Sequence, residues 1–184
     1  APADLPGALQ RMSDEVRTLV RAGETHHAVR VGEEAAALAA RYLGADDLLA
    51  SRARSDLAVA YHHVGRLDEA VALYREVLEA RERRLGAEHR ETLATRHNLA
   101  LAYRRLGRVD EAVALYRDVL AVRAPTLGAD DPETLRTGAE LATAYLDLGR
   151  LDEVVALYRE VLVVQERTLG AEHPDTLSTR QGLA

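Results

Sequence analysis

Apolar positions along the chain recur at intervals of three and four, the period of an amphipathic helix, and not at the alternation of a strand. In the segment 92–106, Leu99, Ala102, Tyr103 and Leu106 fall on one face. In 109–122, Val109, Ala112, Val113, Tyr116, Val119 and Leu120 do the same. Residues 8–22 predict a degenerate leading helix with Leu9, Val16, Leu19 and Val20 turned inward.

A longer period lies over the helical one. Gly23, Gly65, Gly107 and Gly149 are 42 residues apart, and so are Gly44, Gly86, Gly128 and Gly170. The text Gly-Arg-Leu-Asp-Glu-Ala-Val-Ala-Leu-Tyr-Arg-Glu-Val-Leu starts at Gly65 and returns with small changes at Gly107 and Gly149. A second block, Thr-Leu-x-Thr, starts at Thr92 and Thr176, with Thr134, Leu135 and Thr137 in the same places. The first glycine of each unit predicts a tight turn between two helices, and the second a helix C-cap. Asp131-Pro132 reads as an N-cap followed by a first-turn proline, and His173-Pro174 stands in the same place. Asp110 and Glu111 occupy a first turn, where negative charge is favourable. A helix pair of this kind exposes an apolar face that it cannot cover alone, so neighbouring pairs must stack. The expected fold is all-α, a solenoid of antiparallel helix pairs. The 184 residues divide into a leading helix (1–22), a divergent repeat (23–64), two regular repeats (65–106 and 107–148) and a truncated one (149–184), forming one array.

Composition narrows the function. A net charge of −6 argues against a nucleic-acid partner, because phosphate contacts need a basic excess. The absence of cysteine removes disulfides, thiolate metal sites and thiol nucleophiles. All 24 basic residues are arginine, which excludes a Walker-type phosphate loop and lysine chemistry. The missing Lys, Ile and Phe, with a single Asn at 98, point to AT-poor codons and a high-GC bacterial genome. No apolar run is long enough to span a membrane and no signal pattern opens the chain, so a cytoplasmic location is expected. The adjacent pairs His26-His27 and His62-His63 point about 100° apart on a helix and cannot chelate as an i,i+4 pair does. His89 and His173 fall where Asp131 falls, which predicts capping. The carboxylates Asp68, Asp110 and Asp152 recur with the repeat and so serve the repeat. Glu76 and Arg75 read as a solvated face. No metal, no cofactor and no catalytic residue is expected.

Asn98-Leu99-Ala100-x-x-Tyr103-x-x-x-Gly107-x-Val109-x-x-Ala112-x-x-x-Tyr116-x-x-Val119-Leu120 resembles a tetratricopeptide repeat. The 42-residue period and the connector Leu-Gly-x-x-His-Pro-x-Thr-Leu, from Leu169 to Leu177, resemble the kinesin-light-chain-like subclass. The likeness is strong over 45–184 and weak over 8–44. It implies a right-handed superhelix that binds proteins or peptides, of a kind common in signalling proteins of high-GC bacteria. Two departures stand out. Gly32 replaces the tyrosine of Tyr74, Tyr116 and Tyr158, and Pro125 replaces Arg83 and Arg167, predicting a helix that kinks or ends early.

The resemblance also implies that the first helix of each repeat lines a concave groove. Carried over position by position, the groove residues are Arg52, Ser55, Asp56, Val59, His62 and His63, then Ala94, His97, Asn98, Leu101, Arg104 and Arg105. The third set is Arg136, Ala139, Glu140, Thr143, Leu146 and Asp147. These positions vary between repeats while the packing positions do not, which is where specificity would sit. Arg96, Arg104 and Arg105, with no acid between Leu93 and Leu106, give a basic centre suited to an acidic segment. The carboxylate clamp of chaperone-binding relatives is incomplete. Asn98 and Arg136 match it, but Ser55 and Val59 stand where Lys and Asn are required, and Glu140 replaces a second basic residue. The text breaks off at Ala184 in mid-helix, so a piece of a longer array is expected. Self-assembly into homo-oligomers through unfinished solenoid ends is the alternative function.

Overall fold

The computed structural model describes residues 4–168 and 170–182. Leu169, which opens the last connector, and Ala184, where the text breaks off, lie outside the described residues, as do residues 1–3. The chain forms two compact units that meet in sequence between Leu106 and Gly107. The first unit holds α1 (Leu5–Ala22), α2 (Thr25–Tyr42), α3 (Leu48–Val64), α4 (Leu67–Leu85) and α5 (Arg90–Arg105). The second holds α6 (Val109–Leu127), α7 (Pro132–Asp147), α8 (Leu151–Thr168) and α9 (Pro174–Gly182). Among the described residues every regular element is a helix.

Within the first unit each helix packs on its successor, and α3 also packs on α1 and α5, two positions away in the order. The same succession joins α6 to α7, α7 to α8 and α8 to α9. The predicted apolar faces are the buried ones. Leu9, Val16, Leu99, Ala102 and Tyr103 are buried in the first unit, and Ala112, Val113, Tyr116 and Val119 in the second. Leu19 and Val20 are only half-buried, because α1 turns its Leu5, Leu9, Ser13 and Val16 stripe inward.

The ends of the helices follow from the capping residues. The Asp131 carboxylate accepts from the backbone N–H of Glu133 (2.9 Å) and Thr134 (3.2 Å), and Asp47 does the same for α3. His89 Nδ1 accepts from the Glu91 N–H at 3.2 Å, so this imidazole is an N-cap. Gly65 closes α3 with φ of 86° and Gly107 takes φ of 78°, left-handed values that a side chain would strain. Pro125 does not end its helix early: α6 runs to Leu127 and matches the 19 residues of α4. Pro125 lies two residues from the end of the helix, and its missing N–H costs the single helical bond to the Ala121 carbonyl.

A recurring latch ties α4 to α5 and α6 to α7, across the connector that the second glycine of each repeat opens. Arg81, near the end of α4, donates to the Glu91 carbonyl (3.1 Å) and the Thr95 hydroxyl (2.7 Å), and pairs with the Glu91 carboxylate at 3.2 Å. Arg123 repeats this in the second unit, with the Glu133 carbonyl at 3.3 Å, Thr137 Oγ1 at 2.9 Å and the Glu133 carboxylate at 2.9 Å. Burial pushes the Arg81 guanidinium below its usual pKa while Glu91 pulls it back up, so the charge survives by pairing. Sequence reading attached no expectation to these arginines. Their signal was the shared spacing, since Arg81 and Thr95 are 14 residues apart and so are Arg123 and Thr137. Arg75, expected in a solvated intrahelical pair, instead reaches across to α5, donating to the Tyr103 hydroxyl at 2.8 Å.

Candidate functional site

The first helix of each pair carries the candidate positions. In the first unit these are α1, α3 and α5, the helices brought side by side. On α3, Arg52, Ser55, Asp56, Val59 and His62 are half-buried and His63 is exposed. On α5, Ala94, Asn98, Leu101 and Arg104 are half-buried and Arg105 is exposed. His97 departs from the expectation. It is only 1% exposed and cannot meet a ligand. Its counterparts Ser55 and Ala139 are small, so one large side chain at this position packs into the unit.

Charges on this face are partly spent on one another. Arg17 of α1 grips Asp56 with both ends of its guanidinium, Nε at 3.1 Å and Nη2 at 3.4 Å. That pair raises the Arg17 pKa, the hydrogen bond to Asp56 being the main cause. Asp56 is therefore an anchor for α1. Arg52 faces Asp14 at 3.9 Å. The basic centre of α5 is also smaller than its own residues suggest, because Glu82 of α4 neutralises Arg96 at 2.6 Å.

Arg105 is different: its Nη1 donates to the carbonyl of His62 at 2.5 Å, in the last turn of α3. A guanidinium there is favoured by the helix dipole, and its charge meets a carbonyl and no carboxylate. His62 sits beneath it, edge-to-face with His63 at 5.6 Å between ring centroids. Burial, then Arg105, then His63 hold the His62 pKa down to about 4, so the ring is neutral at neutral pH. The Asn98 side chain makes no hydrogen bond within the protein.

A pH effect follows. An unfolded chain protonates His62 near the ordinary imidazole value of about 6.5, whereas the folded chain resists until about 4. Stability is lost as pH falls through that window, since the unfolded state binds the extra proton there. Urea midpoints measured from pH 7 to 4 are expected to fall, and to fall less steeply in His62→Gln. Parallel curves for the two proteins would remove His62 from the account.

In the second unit, α7 carries Arg136, exposed, with Glu140 and Thr143 half-buried. Thr143 Oγ1 donates to the Ala139 carbonyl of its own helix at 2.9 Å, and so is occupied locally. Leu146 stands half exposed. Among the described residues no three His, Asp or Glu side chains gather as a metal set, and no helix is long and apolar enough to cross a membrane.

The family profile described as tetratricopeptide repeat matches residues 16–83, 51–124 and 91–162. Among solved structures, the nearly identical TPR-like repeats of a Podosopora anserina protein named as a kinesin light chain are 34% identical. That match covers 97% of this chain and 84% of the other, with a TM-score of 0.89. BtubC from P. vanneervenii is 19% identical over all of this chain and 73% of its own, with a TM-score of 0.76. A Rap protein complexed with competence and sporulation factor is 14% identical, covering 97% of this chain and 52% of its own, at a TM-score of 0.72. The last two likenesses are of fold alone, and that fold is an α-solenoid of helix pairs. No curated protein matches the sequence significantly.

Proposed function

The chain belongs to the tetratricopeptide repeat family, and from that premise we propose that it is a noncatalytic scaffold that binds an extended acidic segment of a protein partner. Repeats of this family are generally interaction scaffolds, and one protein of the same fold, Rap, is crystallised with competence and sporulation factor. The binding face is that of α3 and α5 in the first unit. The observation that carries the reading is Arg105, whose charge faces solvent against a carbonyl beside a neutral His62. Arg104 adds a second positive charge one residue earlier on α5, and the Asn98 amide is available for a peptide backbone. Val59 and Leu101 supply shallow apolar contact. Such a face suits an extended chain, in which binding is spread over several small contacts. In the second unit Arg136 of α7 offers a separate exposed positive charge, which Glu140 four residues on opposes. The setting we assign is the cytoplasm of a high-GC bacterium, in the interaction part of a larger signalling protein.

Arrayed extended peptides rich in Asp and Glu, with counterparts in which those residues are Lys, provide the test. The wild-type chain is expected to bind the acidic members only. Each charge-assisted contact is worth about 1.5–3 kcal/mol, so Arg104→Glu with Arg105→Glu is expected to weaken binding at least about tenfold while circular dichroism stays unchanged. Equal binding by the two proteins would sink the reading.

A second reading, self-association, is favoured by Leu151 and Val163 of α8, which are 62% and 67% exposed. The two lie about 18 Å apart along α8 and on different sides of it, so each would meet another copy as a separate contact. Sedimentation over a range of concentrations separates the readings: a constant monomer mass excludes the second.

A further inference from the structure

Two of the four repeats, 65–106 and 149–184, carry an ion pair that 107–148 lacks; in the divergent 23–64 repeat Ala40 stands in the acid's place, opposite Arg54. Glu82 of α4 meets Arg96 of α5 at 2.6 Å, and 84 residues later Glu166 of α8 meets Arg180 of α9, also at 2.6 Å. Midway between these positions stand Ala124 of α6 and Gly138 of α7. Neither a carboxylate nor a guanidinium stands at these two positions, and the space beside Gly138 is vacant. A Cβ added at Gly138 would meet nothing within 4 Å.

Ala124 and Gly138 both line one cavity of the second unit, with a volume of 380 Å³, between α6, α7, α8 and α9. Its walls are mainly apolar: Leu120, Leu135, Leu157, Tyr158 and Val161. Two wall residues offer apolar surface: Leu135 is 39% exposed, as its counterpart Leu177 is at 38%, and Tyr158 is 36% exposed where Tyr74 and Tyr116 are 2% and 0%. A volume within the roughly 300–1,000 Å³ of small-molecule pockets is large enough for a ligand of two or three rings.

Two polar side chains in the wall, Thr134 and Gln165, each have a buried oxygen without a partner, and Gln165 is the one that departs from the other repeats. Gln165 occupies the place of the latch arginines Arg81 and Arg123, yet its amide makes no hydrogen bond in the protein. It is only 9% exposed, and its Oε1 is buried without a partner. A buried acceptor left bare costs free energy that a donor on a bound molecule would recover. Glu160 also lines the cavity and disfavours an anion there.

We propose that this cavity is a binding site for a small, neutral, largely apolar molecule that carries one hydrogen-bond donor directed at Gln165 Oε1. The site is separate from the α3 and α5 face and does not depend on it.

N-Phenyl-1-naphthylamine is a suitable probe, being neutral, aromatic and equipped with one N–H. Titration into the full chain is expected to give a saturable blue-shifted fluorescence with one site per chain. Ala124→Glu with Gly138→Arg restores the pair found in the neighbouring repeats and fills the space. It is expected to weaken the probe more than tenfold while the melting temperature holds or rises. Gly138→Leu fills the cavity without charge and is expected to act in the same direction should the double variant fold poorly. Gln165→Leu keeps the cavity and removes the acceptor, for an expected loss of about fivefold, the equivalent of about 1 kcal/mol. No saturable binding to the wild-type chain, or undiminished binding to a folded filled variant, would overturn the proposal.

Discussion

Replacing Arg123 with alanine is expected to lower the unfolding free energy by about 3–5 kcal/mol, the range for removing one partner of a buried ion pair. The side chain is completely buried, with a relative exposure of 0%. Its guanidinium donates to the Glu133 carbonyl and the Thr137 hydroxyl and lies 2.9 Å from the Glu133 carboxylate as an ion pair. Alanine strips this donor from the Thr137 hydroxyl and the Glu133 carboxylate, while the Glu133 carbonyl keeps the Thr137 hydroxyl at 2.8 Å, and it opens a void the length of the arginine stem. Arg123→Met separates the two contributions. It keeps the stem and loses the charge, and a variant that also carries Thr137→Val and Glu133→Leu removes the stranded acceptors. That triple variant is expected to recover much of the loss, because a well-packed apolar replacement of a buried pair is often neutral. Chemical denaturation of the single and combined variants reads the outcome. A loss below about 1 kcal/mol for Arg123→Ala would mean that the latch is a surface pair in all but position.

Helices and turns were legible in the sequence because their causes are local. The three-and-four spacing, the glycines at fixed intervals and the capping role of His89 and Asp131 all depend on residues a few places apart. What was not legible depended on neighbouring helices. The acid-free run of α5 suggested an unopposed basic centre, but Glu82 comes from α4 to neutralise Arg96. Asp56 reads as a groove residue on its own helix and is held by Arg17, which lies 39 residues earlier. His97 falls on the right helix face by spacing, yet it is buried. Arg81 and Arg123 resemble surface arginines when each is taken alone. Only their joint recurrence with Thr95 and Thr137 marks them as one device. The open cavity beside Gly138 is of the same kind, since two absences 14 residues apart have meaning only as a missing pair.

Gly32→Tyr, which restores the residue that the regular repeats carry at this position, is expected to destabilise the chain by about 3 kcal/mol or more. Consensus replacement ordinarily stabilises, and a glycine inside a helix costs about 1 kcal/mol against alanine, so the naive expectation runs the other way. Contact geometry reverses it. A Cβ built on Gly32 would stand 3.1 Å from Leu57 Cδ1 and 3.2 Å from Leu57 Cα. The second of these is backbone, which can yield only if α3 moves away from α2. Gly32 is thus the point at which the two helices come close together, whereas Tyr74 and Tyr116 fill the wider spaces of their own repeats and are 2% and 0% exposed. The reciprocal change, Tyr74→Gly, removes a buried ring and is expected to cost a similar amount for the opposite reason, by about 3–5 kcal/mol. Each repeat therefore keeps its own pairing of residue and spacing, and neither residue is interchangeable between them. Thermal and urea denaturation of both variants tests this. A Gly32→Tyr chain as stable as the wild type would show that the α2–α3 spacing widens freely, and that the glycine is a lost tyrosine and nothing more.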